Sequence, residues 1–200
     1  MHPNSLFRTD NRVLMEALVD EIGFGMIFAA TPDGPRVAHV PLLWTGDGAL
    51  QFHLSRGNAL ARHLDGATAL AVVNGPDAYV SPRWYESDAE VPTWNYVTVE
   101  MEGRVHRTDD DGLTGMLEAL SAHHEARIRD GKPWTMDKTP VDKLAKLKTG
   151  IFGFELEVQA WRPTFKLSQN KPADERERIA LGLEAQGSPG IARLMRDIAP

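Results

Sequence analysis

The stretch VPTWNYVTVEMEGRV, residues Val91–Val105, decides how this chain folds. Its second half alternates. Val97, Val99, Met101 and Val105 share one parity; Thr98, Glu100, Glu102, Arg104 and then His106 share the other. That is the period-two pattern of a strand with one buried face. Its first half is denser than a strand needs: a proline, a threonine, two bulky aromatics and an asparagine crowd together. Alternation puts Trp94 and Tyr96 on one side and Asn95 on the other. The aromatics offer planar faces, and Asn95 both donates and accepts hydrogen bonds, so this lip suits a flat, hydrogen-bonding ring. It equally suits a core or a subunit contact. All three side chains reach one molecule from one subunit only if the strand is bulged at its start. In an oligomer, the two faces serve separate sites, or one site and one interface.

Working outward, the upstream half reads as short strands joined by turns. DNRVLMEALVDEIG is a helix with Asp10 as N-cap, Leu14, Ala17, Leu18 and Glu21 at helical spacing, and Gly23 or Gly25 as the stop. FGMIFAAT is a strand and TPDGP a turn. RVAHVPLLW is a second strand, where Pro41 implies an edge or a bulge. TGDG is a hairpin turn, and ALQFHLS sets Leu50, Phe52 and Leu54 against Gln51, His53 and Ser55. A short helix, NALARHL, follows. TALAVVNG is a buried strand, with Asn74 and Gly75 as a turn, and DAYVSPRWY is a further strand candidate.

Downstream the pattern turns helical. DDDGLTGMLEALSAHHEARI places Leu113, Met116, Leu117 and Leu120 on one face. TPVDKLAKLKTG is a second helix opened by Pro140. IFGFELEVQAW is the last strand, and the tail from residue 171 reads as one or two helices. The expected domain spans residues 1–170, with a helical insertion at about 109–149, and 171–200 is a helical tail. Antiparallel-style strands with late helices predict an α+β, mainly β, fold: a small barrel with helical decoration.

Composition narrows the chemistry. Two hundred residues suffice for one substantial domain. With no cysteine, disulfides, thiolate metal sites and cysteine nucleophiles are excluded. No window approaches the roughly 18 apolar residues of a membrane span, and no signal-like segment opens the chain, so a cytoplasmic protein with no membrane partner is expected. The net charge of −6 is uneven: residues 1–120 carry −9 and residues 121–200 carry +3. An acidic first half repels nucleic acid, so any DNA contact falls to the second half or to a partner.

No H-E-x-x-H, nucleophile elbow, Walker loop or dinucleotide fingerprint is present, so no catalytic or metal-ligating residue is assigned. FHLSRGNALARHL is more informative. A strand ends in Ser55 and Arg56 and the predicted helix follows, so a hydroxyl, a guanidinium and free helix N–H groups converge as they do at phosphate sites. Asn58 caps that helix or supports the ligand.

GPDAYVSPRWY, VPTWNYVTVEMEGRV, GIFGFELEV and KLSQNK, in this order and spacing, closely resemble the FMN-binding negative transcriptional regulators of the PaiB type, from about residue 1 to about residue 180. VPTWNY and KLSQN together carry most of the specificity. The family is related to the flavin-binding split barrels, which include pyridoxamine-phosphate oxidases and flavin reductases. The resemblance implies an antiparallel split β-barrel of six or seven strands, a homodimer, and FMN near the dimer interface. It assigns Ser55 and Arg56 to the FMN phosphate with Asn58 in support. It makes His39, Val40 and Pro41 candidates for lining the ring, and puts Thr93, Trp94 and Asn95 at the ring or the partner subunit. Lys166, Ser168, Gln169 and Asn170 fall on a loop that closes the site. The chain departs from the family in reading Met1-His2-Pro3 where Met-Tyr-x-Pro is common, and in Lys171 where arginine is frequent; the lysine keeps the charge but loses a bidentate fork.

The implied function is an FMN-binding, PaiB-like negative transcriptional regulator, more a flavin-binding regulator than an enzyme, with DNA or a regulatory protein as further partner. No basic recognition helix is evident. The alternative is an FMN-dependent oxidoreductase acting on a small molecule with NAD(P)H, the cofactor supplying the chemistry and His39, His53 and Tyr85 as candidate proton donors.

Overall fold

A computed structural model describes residues 2–86 and 89–198. Helix α1 is Arg12–Ile22 and is followed by strands β1 (Phe24–Thr31), β2 (Gly34–Pro41), β3 (Leu43–Trp44), β4 (Ala49–Ser55), β5 (Thr68–Val80) and β6 (Thr93–Arg107). Helices α2 (Asp110–Glu125) and α3 (Val141–Lys148) precede β7 (Ile151–Lys166), and α4 (Ala173–Ala185) and α5 (Pro189–Ile198) end the order. The strands form one sheet in the order β2-β1-β5-β6-β7-β4-β3. The chain makes two compact units. A barrel unit holds Glu16–Val73 and Met101–Trp161; a helical unit holds Met1–Met15, Asn74–Glu100 and Arg162–Pro200.

The barrel unit is closed by one residue. The predicted strand RVAHVPLLW is in fact two strands, β2 and β3, on opposite edges of the sheet. In a flat sheet of seven strands those edges lie about 29 Å apart, at about 4.8 Å per interval. The chain crosses through Leu42 alone, and two Cα steps span at most about 7 Å. The sheet is therefore rolled until its edges adjoin. Leu42 is pinned in this crossing: its N–H donates to Gly23 O at 2.9 Å. A Cβ on Gly25 would meet the Leu42 side chain at 2.7 Å and Val72 O at 2.6 Å, so only glycine leaves room there. Pro41 ends β2 on its edge strand, as expected.

The inward parity fills the barrel. Leu50, Phe52 and Leu54 of β4 face Leu156, Phe154 and Phe152 of β7 in register, and Phe52 stacks on Phe154 with centroids 5.6 Å apart. Met101 and Val105 are buried along β6, and Val97 and Val99, of the same parity, are buried on its helical-unit part, as the alternation predicted. At Gly103 a Cβ would lie 1.8 Å from Glu157 O, so this glycine permits the closest backbone approach in the barrel unit.

Several local expectations are corrected. NALARHL is not a helix but a chain of turns, with Asn58 N–H on Ser55 O, Ala61 N–H on Asn58 O and His63 N–H on Leu60 O. Asn58 turns its own Oδ1 to the Leu60 N–H at 2.9 Å, a local bond that competes with helix. Asn74 and Gly75 are not a turn; they lie inside β5, where Asn74 Oδ1 accepts from the Thr98 hydroxyl at 3.0 Å. In α1 the buried pair is Met15 and Val19, while Ala17 and Glu21 are exposed. Asn11, not Asp10, accepts the Leu14 N–H and caps it. Gly23 ends it at φ +58, as expected.

In the helical unit, α4 and α5 bury Ile179, Leu183, Ile191 and Met195. Arg196 ties the pair by donating to both carboxylate oxygens of Glu177 (2.9 and 2.8 Å) and of Glu184 (2.6 and 3.2 Å). No helix among the described residues is long and apolar enough to cross a membrane.

Two glycines admit no side chain: Gly25 under Leu42 and Gly103 against Glu157 O. Gly25→Ala and Gly103→Ala are each expected to cost about 1–3 kcal/mol, the range for overpacking, with Gly103→Ala at the upper end because its obstacle is backbone. Urea unfolding of the two variants against the parent checks this; a loss under about 0.5 kcal/mol at Gly103 contradicts the close approach.

Candidate functional site

The predicted residues fall into two sets, one on each unit. In the barrel unit, His39, Val40 and Pro41 end edge strand β2; Val40 points into the core and His39 out to solvent. Ser55 ends β4 with its hydroxyl accepting the Gly57 N–H at 3.3 Å. Arg56 continues the inward parity of Phe52 and Leu54 past the last core residue. It is held by its N–H on Gly150 O (2.9 Å) and its Nε on Ile151 O (3.3 Å), and its guanidinium lies 4.3 Å from the Phe152 ring centre. The predicted helix dipole is absent, because the following segment is turns.

A second guanidinium occupies the same ring. Arg107 lies 3.7 Å from the Phe152 centre, and its backbone N–H is fixed by Asp65 Oδ1 at 2.9 Å. Arg107 extends the parity of Met101, Gly103 and Val105, so both cations are aimed by strands whose inward faces have run out of core. Among the described residues neither guanidinium has a carboxylate within ion-pair distance. Two uncompensated guanidiniums on one half-buried ring, beside a serine hydroxyl, have the donor chemistry a phosphate dianion requires. The sequence reading missed Arg107, although a charged residue in the apolar parity of a strand is itself a signal. No group of three or more metal-binding side chains occurs among the described residues.

The helical-unit set is more internal. Asn95 is fully buried: its Nδ2 donates to Ser168 Oγ at 2.9 Å and contacts Met195 Sδ at 3.3 Å, and Ser168 Oγ returns a bond to Asn95 Oδ1 at 3.1 Å. Ser168 holds φ +62, a left-handed conformation uncommon outside glycine. Lys166 Nζ donates to the Thr93 hydroxyl and to Trp94 O, both at 2.6 Å, and burial lowers its pKa. Gln169 bonds Leu167 N–H at 2.8 Å and Phe165 O, closing its own loop, and Asn170 is exposed. Lys171 pairs with Glu90, lies 4.0 Å from Glu175 and sits 4.7 Å above the Tyr85 ring. Burial opposes its charge, but the Glu90 hydrogen bond and the two carboxylates outweigh that and raise its pKa. Burial also raises Tyr85, with Lys171 opposing and Glu90 and Glu175 reinforcing. His2 stands edge-on to Phe7 at 4.7 Å and its N–H reaches Thr164 Oγ1 at 3.3 Å, so an aromatic ring anchors this departure from the family pattern.

Trp94 and Tyr79 remain about half exposed, edge-to-face at 6.2 Å. With Trp84, Asp77, Arg83 and Gln186 they line a cavity of about 640 Å³, within the roughly 300–1,000 Å³ usual for small-molecule sites. Trp84 is seated there because Gly182 of α4 has no Cβ; one would meet the indole at 2.5 Å. A cavity of about 280 Å³ shares Trp94 and Asp77 with it and is also lined by Asn74 and Tyr96.

One histidine of β4 links the barrel to pH. His53 faces Gly153 across β4 and β7, its Nδ1 has no protein hydrogen-bond partner, and burial lowers its pKa from 6.5. The folded barrel thus prefers neutral imidazole. Stability is full above pH 6.5 and is lost as pH falls through the lowered value, because the unfolded chain then binds the extra proton. His124, lowered by burial and by His123 and Arg127, acts in the same sense. His53→Gln is expected to flatten, and not abolish, the fall in melting temperature between pH 7.5 and 5; an unchanged slope removes His53 from that account.

Residues 1–160 match the family model described as "Putative FMN-binding domain". The chain is 28% identical over 204 residues to the protein named "Protease synthase and sporulation protein PAI 2" of Bacillus subtilis, covering 98% of this chain and 97% of that one. It is 28% identical over 190 residues to an uncharacterized protein of Aspergillus fumigatus, covering 75% and 72%. Among solved structures it resembles the FAD and heme binding protein from Mycobacterium smegmatis, with TM-score 0.62, 22% identity, and 84% and 77% of the chains covered. It also resembles the flavocytochrome Anf3 from Azotobacter vinelandii, with TM-score 0.59, 15% identity, and 82% and 72% covered. These two likenesses show the fold, and the antiparallel split barrel expected from sequence is borne out. With four-fifths of its length matched, the chain belongs to the FMN-binding domain family, and FMN is the cofactor that this membership assigns to it.

Proposed function

We propose that this protein is an FMN-binding regulator of the PaiB type that works as a homodimer in the cytoplasm. The observation that carries the proposal is the Arg56–Arg107 pair on Phe152, a cationic mouth without an acidic partner among the described residues, in a chain whose family takes a phosphorylated flavin. Ser55 and Asn58 support the phosphate, and His39, Val40 and Pro41 border the ring. Of the other assigned residues, Trp94 offers an exposed planar face. Thr93, Asn95, Lys166, Ser168 and Gln169 act by holding their segment rigid through the bonds they already make, and Asn170 is free at the surface. When bound, FMN supplies a ring that takes up and gives back electrons; the protein's part is to grip and orient it.

Support for the homodimer comes from the outer face of the barrel. Phe24, Met26 and Phe28 stand in a row on β1 beside Val72 and Leu70 of β5, and Phe24 is 53% exposed. A contiguous apolar face of this kind favours a protein partner over water. Support for regulation comes from the name of the Bacillus relative, which ties that protein to protease synthesis and sporulation. DNA or a regulatory protein would receive the signal.

A second reading, an FMN-dependent oxidoreductase acting on a small molecule with NAD(P)H, is favoured by the aromatic cavity at Trp84 and Trp94. Its lining includes Arg83 and Asp77, which suits a planar, charged substrate.

The purified protein should be yellow and release FMN on denaturation. Arg56→Ala and Arg107→Ala should each weaken FMN binding by about 1–3 kcal/mol, and Arg56→Lys by less. A colourless protein that takes up no FMN would falsify the reading. Anaerobic mixing with NADH or NADPH then separates the two roles: sustained turnover identifies the enzyme, whereas a salt-dependent shift of promoter DNA that survives excess random DNA identifies the regulator.

A further inference from the structure

Residues 126–149, between α2 and β7, form an arm with a composition unlike the rest. It carries seven Lys and Arg against three Asp, a net +4, which leaves −10 for the remainder of the chain. Its helix α3 buries none of its eight residues: Val141 is 84% exposed and Leu147 58%. Ile128 and Trp134 are exposed elsewhere on the arm. An eight-residue helix is well short of the roughly 12–15 residues at which isolated helices become marginal in water. Such helices draw their stability from packing an apolar face, and of the apolar residues of α3 only Leu144 is half-buried within its own chain.

The arm is nonetheless held at both roots. Glu125 of α2 accepts the Trp134 N–H at 2.7 Å, and Lys148 at the end of α3 donates to the Thr114 hydroxyl and to Asp110 O at 3.4 Å. Between these anchors Lys138 Nζ closes on Pro133 O at 2.7 Å. The arm, set beside α2 at Trp134–Asp137 and tied by Arg127 to Asp20, thus presents exposed lysines interleaved with large apolar side chains.

We propose that this arm clasps a second copy of the chain, its lysines set against that copy's acidic surface and Val141 and Leu147 buried by it. The opposed charges, +4 against −10, favour this occupant. A nucleic acid is disfavoured by Asp130, Asp137 and Asp142, which repel phosphate, and by exposed aliphatic side chains that gain nothing from a sugar–phosphate backbone. The proposal rests on the homodimer reading and adds the element that makes the embrace and its electrostatic character.

The test is sedimentation of the full chain across a concentration series at low and high salt. The parent should dimerise, more weakly as salt rises. Val141→Asp/Leu147→Asp and Lys143→Glu/Lys146→Glu should each raise the dimer Kd at least about ten-fold, and the lysine variant should lose most of the salt dependence. Circular dichroism at matched concentration should show the barrel still folded, since α3 contributes no buried residue. An unchanged Kd in both variants overturns the clasp while leaving the dimer standing. A parent that stays monomeric at every concentration removes the dimer and the clasp together. Binding of random-sequence DNA by the parent that Lys143→Glu/Lys146→Glu abolishes, with Kd unchanged, overturns the clasp in favour of nucleic acid.

Discussion

The crossing at Leu42 is the constraint from which the barrel unit follows. Because one residue links the two edge strands, the sheet has no freedom to lie open. Rolling it brings Gly25 under the Leu42 side chain, and the adjacent strand β7 sets the Glu157 carbonyl against Gly103, so two positions that read as ordinary strand residues admit no Cβ. It also gives the barrel unit an inside, and there the inward positions of β4 and of β6 from Met101 onward are apolar or glycine until the strand leaves the core. Where β4 and β6 leave it, the next inward positions are Arg56 and Arg107. Their convergence on Phe152 follows from the strand order: β4 and β6 flank β7 and both end beside its first residues, each turning a long cation over the same ring.

Much of this was legible because period two is a strong signal. The alternations of ALQFHLS and VTVEMEGRV needed no tertiary knowledge, and both faces came out as read. The failures share a cause. RVAHVPLLW looks continuous because nothing in its apolar pattern marks where a strand changes edges; only the roll of the sheet demands the break. In NALARHL, Leu60, Ala61 and Leu64 are buried at helical spacing, but Asn58 spends its side chain on a local turn. In α1 the apolar residues run too densely for spacing to say which stripe meets the sheet.

The site was legible in the same uneven way. Ser55 and Arg56 stood out as candidates because a strand ending in a hydroxyl and a guanidinium is a local pattern. Arg107, about fifty residues later, joins them only through the strand order, which sets β7 between β4 and β6. Alternation correctly separated Asn95 from Trp94 and Tyr96. It could not tell that the inward amide would meet a serine hydroxyl, since that partner lies more than seventy residues on. The PaiB-type resemblance supplied what local chemistry could not: the cofactor and the order of the motifs.

Ser168 has to satisfy two demands that pull toward different amino acids. Its backbone wants glycine; its neighbour Asn95 wants a hydroxyl in that spot. Glycine would ease the chain and strand the amide, alanine would fail on both counts, and a branched side chain would worsen the torsion. Serine is thus a compromise with no neighbouring optimum, so substitutions accumulating elsewhere in the loop cannot relax this position unless residue 95 changes in the same step.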